Sequence, residues 1–412
     1  MPRHAKIRIV GTIAAIPLSM LWFGTATSQS TVSNDQYQGG NVTASQTLDV
    51  VTATSDTTAV TSSTGNSFVG SAVNGSVDVT SSQTLGGNVA ASTVINVASN
   101  AGPTTVSETD ANGNAGSAVI EGGGTMSGSF LQTSGAKTVA AESQINAADA
   151  QTNDAAFSVQ AAANTQELGA INGAIGANVT QYNSATTTAH GGVVMGDLVD
   201  QGTFSATATG NDMSSVGTNG SAQNIVVGQN NSGLVTEGAV SANFGQSEIS
   251  QTSATATGNN ASISNTDGTL QASVNQENES FVHAQAVETS FAYGGATVDA
   301  QGVGNSAVAA NVGPSLALDN VQFNGSAGVE SSASFQGDTG YDSQVNSSAA
   351  GNSVTGFACS ACGGVMNVQN TQTNNGDVSS TSSIGLTGSA RSVRGSATAV
   401  GNAATFYTSS PN

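Results

Sequence analysis

Gly-Asn returns along this chain at a nearly constant interval, and no other feature restricts its fold as much. The pairs are Gly65-Asn66, Gly113-Asn114, Gly210-Asn211, Gly258-Asn259, Gly304-Asn305, Gly351-Asn352 and Gly401-Asn402, with Ala163-Asn164 filling the one gap. Successive asparagines are 48, 50, 47, 48, 46, 47 and 50 residues apart. A glutamine follows all but the last pair by 18 or 19 residues: Gln83, Gln132, Gln181, Gln229, Gln276, Gln322 and Gln369. Gln38, in "DQYQGGN", carries the series one unit further towards the N-terminus. Periods of about 20 to 50 residues belong to solenoids, propellers or arrays.

Within each unit the residues alternate. "SATATG", "SVDVTSS" and "FVHAQAVET" place small or apolar side chains at every second position, the period of a strand. An apolar helical pattern does not persist over three turns anywhere. The expectation is an all-β chain. In "SATATGNN" the alanines take one face and the hydroxyls the other. Gly258 would then supply a turn, either because a side chain would clash or because φ is positive. Asn259 would bond its own backbone or stack on the asparagine of the next coil, as ladder amides do at spacings of about 4.8 Å.

The fold expected is an elongated β-solenoid, or β-helix, of about 47-residue repeats, with about eight repeats in one domain over residues 29–412. A β-propeller with one blade per repeat competes. Blades pack through large side chains, however, and only 4% of this chain is aromatic. Reading each repeat as two coils gives sixteen coils and a rod of about 70 to 80 Å. Small inward residues suit a narrow coil without room for rings, stabilised by its neighbours rather than alone.

Residues 1–28 differ from the rest. Arg3, Lys6 and Arg8 precede an apolar run from Ile9 to Phe23 and a small-residue exit, "GTATS". That order is expected of a cleaved secretory signal peptide, and the run is short for a spanning helix, which needs about 20 apolar residues. Beyond it the chain has 26 acidic residues against Lys137, Arg391 and Arg394, a formal charge of −23. Such a surface repels phosphate backbones, which excludes nucleic acid as a partner.

Residues able to carry chemistry are few. Cys359 and Cys362, in "FACSACGG", are the only cysteines and are expected to form a local structural disulfide, with free thiols the alternative. His190 and His283 stand alone in sequence, His283 on one strand face with Phe281 and Gln285. Acidic residues are scattered singly, as at Asp197, Asp200, Glu237, Glu248, Asp299 and Asp342. "GDTGYDS" and "GNDMSS" approach calcium-binding phrases but do not repeat. No hydrolase, zinc-protease, P-loop or dinucleotide fingerprint occurs. The expectation is no enzyme, no metal and no cofactor, with carboxylates that keep the surface soluble.

"TGNNASIS", "VGNSAVAA" and "VQNTQTNNG" resemble the turn chemistry of curlin subunits of bacterial amyloid fibres, at about double their period. The C-terminal stretch "ACSACGGVMNVQNTQTNNGDVSSTSSIGLTGSARSVRGSATAVGNAATFYTSS", with the repeat style and length of the whole, resembles holdfast-anchor proteins of the HfaD type. The resemblance implies export to the outer membrane surface. There the chain would help fix holdfast polysaccharide, with a curli-like companion anchor protein and an outer-membrane lipoprotein exporter as partners. It implies no catalytic residues.

The function expected is therefore a secreted structural adhesion protein that anchors or scaffolds extracellular polysaccharide through a long polar face. The alternative is a curli-like, fibre-forming subunit that self-associates through Asn- and Gln-rich edges. A polysaccharide lyase on a β-helix would need clustered bases or paired acids, which three basic residues cannot supply.

Overall fold

Strict alternation of inward and outward side chains makes strands of nearly every residue described. The computed structural model describes residues 30–135, 137–359 and 364–409, and all regular structure within them is strand. The first coil is β1 (Ser30–Gln38), β2 (Val42–Thr52) and β3 (Thr57–Val73). The second is β4 (Val77–Leu85), β5 (Val89–Asn100) and β6 (Thr104–Glu121). In the next five coils the last two segments run on as one long strand. These coils are β7 (Thr125–Ser134) with β8 (Thr138–Ile171), β9 (Ala174–Asn183) with β10 (Thr186–Thr218), β11 (Ala222–Asn231) with β12 (Val235–Thr266), β13 (Thr269–Asn278) with β14 (Phe281–Val312), and β15 (Ser315–Asn324) with β16 (Val329–Cys359). The last coil is β17 (Val365–Asn374), β18 (Val378–Leu386) and β19 (Ser392–Ser409).

Every strand pairs in parallel with its counterpart one repeat away, as in Gln181↔Gln229↔Gln276 and Asn211↔Asn259↔Asn305. The short strands stack into an 8-stranded sheet, β1-β4-β7-β9-β11-β13-β15-β17, and the remaining strands into an 11-stranded one. This is a β-solenoid. A propeller is overturned, because its blades are antiparallel meanders and these ladders are all parallel.

One repeat is one coil, which corrects the expected two. A 33-residue strand such as β10 would extend about 110 Å if straight. Instead each long strand folds back on itself around residues 196–201 of β10 and their equivalents, where the register slips between Leu198 and Gln201. The two arms face each other closely enough that a Cβ on Gly238 would lie 2.2 Å from the Thr255 carbonyl oxygen. The coil is thus a long flattened loop. A short strand and the first arm of the long one run out along one side, and the second arm returns along the other. Eight coils rise about 38 Å, half the expected rod, across a cross-section about 65 Å long.

Two apolar compartments fill the loop. One lies between the arms of the long strands and holds Ala141, Ile145, Phe157, Val159, Phe204 and Phe244; the other, beneath the short strands, holds Phe130, Ile175, Met213, Ile225 and Ile263. Buried rings are a departure from the expected ring-free core. They fit because rings meet across the loop as well as along it: Phe204 and Phe244, from facing arms, have centroids 5.2 Å apart, Tyr293 meets Phe335 edge-on at 4.9 Å, and the register partners Phe157 and Phe204 lie 6.5 Å apart.

Turns of two or three residues join the first six returning arms to the next short strand. Asn74, Asn172, Asn219 and Asp267 occupy the left-handed region there, with φ of 55°, 52°, 58° and 62°, each followed by glycine. Asn and Asp tolerate that region through local side-chain hydrogen bonds. Gly258, by contrast, does not need positive φ. A Cβ there would lie 2.3 Å from Asn278 Oδ1 and 2.5 Å from the Gly304 carbonyl oxygen, so crowding is what requires glycine.

Candidate binding surface and amide rows

Three rows of amide side chains run along the solenoid. In the first, each Asn Nδ2 donates to the Oδ1 of the next coil's Asn, through Asn66, Asn114, Asn164, Asn211, Asn259, Asn305, Asn352 and Asn402, at 2.7 or 2.8 Å throughout. The same nitrogen also donates across the loop to a backbone carbonyl, as from Asn259 to Glu277 at 2.8 Å. Each amide therefore ties coil to coil and side to side. Those in the middle of the row are fully buried, where an unpaired polar group is costly.

The glutamine row runs with the opposite polarity. Gln83 donates to Gln36, and Gln132, Gln181, Gln229, Gln276, Gln322 and Gln372 each donate to the Gln one coil before, at 2.7 to 3.0 Å. Two positions read from the sequence lie elsewhere. Gln38 pairs in register with Leu85 and donates to the Gly40 carbonyl, while Gln36 holds the row. Gln369 lies opposite Asp319 on the outer face, and Gln372 holds the row. Gln276 follows Asn259 by 17 residues, whereas Gln372 follows Asn352 of the preceding coil by 20. The cysteine segment lies within that span. Cys359 ends β16 and is disulfide-bonded, whereas Cys362 lies outside the described residues, as does the expected signal peptide.

A third row was not read from the sequence. Asn183, Asn231, Asn278, Asn324 and Asn374 donate in turn, each to the next, at 2.7 to 2.9 Å. Its signal was available: each of these asparagines stands two residues after a row glutamine.

Outside the loop, His190 and His283 converge on Glu237. Glu237 and His283 are register partners, and His190 reaches Glu237 diagonally from β10. Pairing with both imidazoles holds the Glu237 carboxyl far below the usual carboxylate range, against partial burial. The same pairing raises both histidines, with Glu142 beside His190 and Glu330 beside His283 adding to the effect. The periodicity hid this cluster in plain view, since 190, 237 and 283 are one repeat apart. Among the described residues no group of three or more His, Cys, Asp or Glu is placed to hold a metal ion.

The fold-back edge gathers acidic and polar residues from successive coils. A groove of about 410 Å³ crosses it, lined among others by Ser99, Asp149, Gln151, Asp197, Gln246 and Phe291. Phe291 is 68% exposed beside these carboxylates and amides. Such a strip can bind extended polar chains by hydrogen bonds and by packing against the ring, and it favours cations.

The family model described as holdfast attachment protein D, HfaD, matches residues 51–328. The chain belongs to the HfaD family. No curated protein and no solved structure matches it. Family membership supports a role in holdfast-related adhesion, a structural task at the cell surface. The HfaD match begins in the first coil and ends at the start of the seventh, so it spans most of the three amide rows.

Proposed function

We propose that the chain anchors or scaffolds holdfast polysaccharide at the outer cell surface, after export through a signal peptide spanning residues 1–28. The observation that carries this reading is the fold-back edge, where Gln151, Asp197 and Gln246 stand in ladder register on successive coils, with Asp149 and Phe291 beside them in one groove. Each contact would be weak, and their number would supply affinity. Carboxylates such as Asp149 and Asp197 would favour sugars carrying free amino groups, in keeping with a formal charge of −23 beyond residue 28. No transmembrane anchor is part of this reading. Attachment would come from partners: a curli-like companion anchor and an outer-membrane lipoprotein exporter.

Immobilised protein would be tested against purified holdfast polysaccharide before and after chemical N-acetylation. Retention that weakens with salt and with acetylation, and again on replacing Asp149 and Asp197 by Asn, is the expected result. Equal retention by all of these would refute the groove as the contact. Cells lacking the gene that still hold their adhesive at the surface would refute anchoring itself.

A further inference from the structure

Both ends of the solenoid are open, and they differ in a matched way. At the N-terminal end, β1, β2 and β3 each pair only with the coil that follows; at the C-terminal end, β17, β18 and β19 pair only with the coil before. Among the described residues nothing covers either edge. Inward side chains that are buried in the central coils are only half-buried here, as with Val42, Leu48 and Val50 at one end and Val378, Ile384 and Leu386 at the other. Unpaired backbone and open core together make an edge able to template another chain.

The amide rows give these ends a polarity. The asparagine row donates towards the C-terminus, so Asn402 accepts from Asn352 and its own amide nitrogen faces outwards, with no further strand beyond among the described residues. At the other end Asn66 donates to Asn114, and among the described residues no strand pairs with the outer side of β3 to donate to Asn66 Oδ1. The glutamine row runs oppositely: Gln372 donates inwards to Gln322, leaving its carbonyl side outermost, while Gln36 presents the outermost amide nitrogen at the N-terminal end. One translation along the axis therefore brings donor to acceptor in both rows at once. An inverted copy would set donors against donors.

Charge follows the same direction. The first coil carries Asp35, Asp49 and Asp56 and no basic residue. The last coil carries Arg391 and Arg394, two of the three basic residues beyond the signal segment, and one acid, Asp377. The ladder register runs Arg394, Gln344, Thr297, Gln251, Thr203, Ala156, Val106, Thr58. Continued one coil beyond the end, it sets Arg394 beside Thr58 of another molecule, two residues along the same face from Asp56.

We propose that these ends dock on each other, the last coil of one molecule receiving the first coil of a second copy of this chain, head to tail in ladder register. Such a contact is heterologous and does not close, so it builds a filament with the solenoid axis along it. Its copy repeat is about 38 Å, eight rungs of 4.8 Å. Backbone pairing would supply affinity and the amide and charge rows would select polarity, as in strand addition to a sheet edge. The inference does not rest on polysaccharide binding, which the retention assay measures separately.

The test takes purified chain comprising residues 29–412 through a concentration series, by sedimentation velocity and electron microscopy. Straight filaments with an axial copy repeat of about 38 Å are expected. Arg394→Glu, at an exposed position, should raise the concentration for half-assembly at least tenfold. Leu48→Lys places a charge in the open core of the first coil. Added at one part in ten to the wild type, it should terminate growth at one end and shorten filaments. Hydrogen exchange of the central strands would confirm that both variants are folded. A monodisperse monomer at every concentration would overturn the proposal. So would filaments with another repeat, or filaments whose length and onset neither variant changes.

Discussion

Glu237 binds two histidines at once: its Oε1 lies 3.0 Å from His283 Nδ1 and its Oε2 lies 3.2 Å from His190 Nε2. The three residues come from β12, β14 and β10, so one carboxylate clips three consecutive coils together on the outer face. The clip has a pH window that follows from its directions. Both histidines are raised, so their contribution is fully present below their ordinary value of 6.5 and is lost as pH rises through the raised values. Glu237 is depressed, so its contribution is present above its ordinary 4.5 and is lost as pH falls through the depressed value. Proton NMR titration of Glu237→Gln should return both imidazoles towards their ordinary value. Because the cluster is part-exposed, the substitution should cost only about 1 kcal/mol at pH 6. Histidine titrations unchanged by the substitution would contradict the pairing.

Glu288 gives, from a single group, a pH dependence opposite to that of Glu237. It is fully buried, and desolvation pushes its carboxyl up to about 7 although Ser250 and Thr252 donate to it at 2.5 and 2.6 Å. A raised acid stabilises the fold in full below its ordinary value of 4.5 and loses that contribution as pH rises to about 7. The denaturant midpoint should therefore fall between pH 5 and pH 8. Glu288→Gln keeps a carbonyl acceptor for one hydroxyl and offers an amide N–H that the other hydroxyl can accept, and it should flatten that slope, leaving the variant the more stable protein at pH 8. A wild-type slope that persists in the variant would place its origin elsewhere.

Asn259 sits mid-row, donating to Asn305 and to the Glu277 carbonyl while accepting from Asn211. Truncation to Ala strands buried partners on three sides and should cost about 2 to 4 kcal/mol in urea unfolding. Asn402→Ala removes an exposed terminal member and should cost less than about 1 kcal/mol. Equal losses at the two positions would show that the row is not cooperative.

Gly258 is held glycine by the Gly304 carbonyl and the Asn278 amide, both within 2.5 Å of where a Cβ would stand. Gly258→Ala should destabilise by about 1 to 3 kcal/mol as the coils shift apart. Asn219→Gly, at positive φ, should change stability by only a few tenths of a kcal/mol. Thermal melts of the two variants side by side would separate crowding from backbone conformation as the source of each constraint.

Much of the ladder could be read without a structure, and the reason is physical. Parallel stacking sets each residue beside its counterpart one coil on, so whatever stacks must recur in the chain at the coil length. Asn66 through Asn402 and Gln83 through Gln322 were legible on that ground, and so was the solenoid. Gln38 and Gln369 were misplaced because a spacing rule cannot see that Gln36 lies in register with Gln83, or that extra residues at the cysteine segment turn Gln369 outwards.

The sequence alone determined the rhythm: an all-strand chain of about 47-residue units whose amides had to meet their own kind. Tertiary structure decided how each unit closes. Alternation with period two states which side chains face inwards but not what they face. Only the fold-back of the long strands made one coil of each unit, set Thr255 against Gly238, and left the rim where Asp149, Asp197 and Phe291 share a groove.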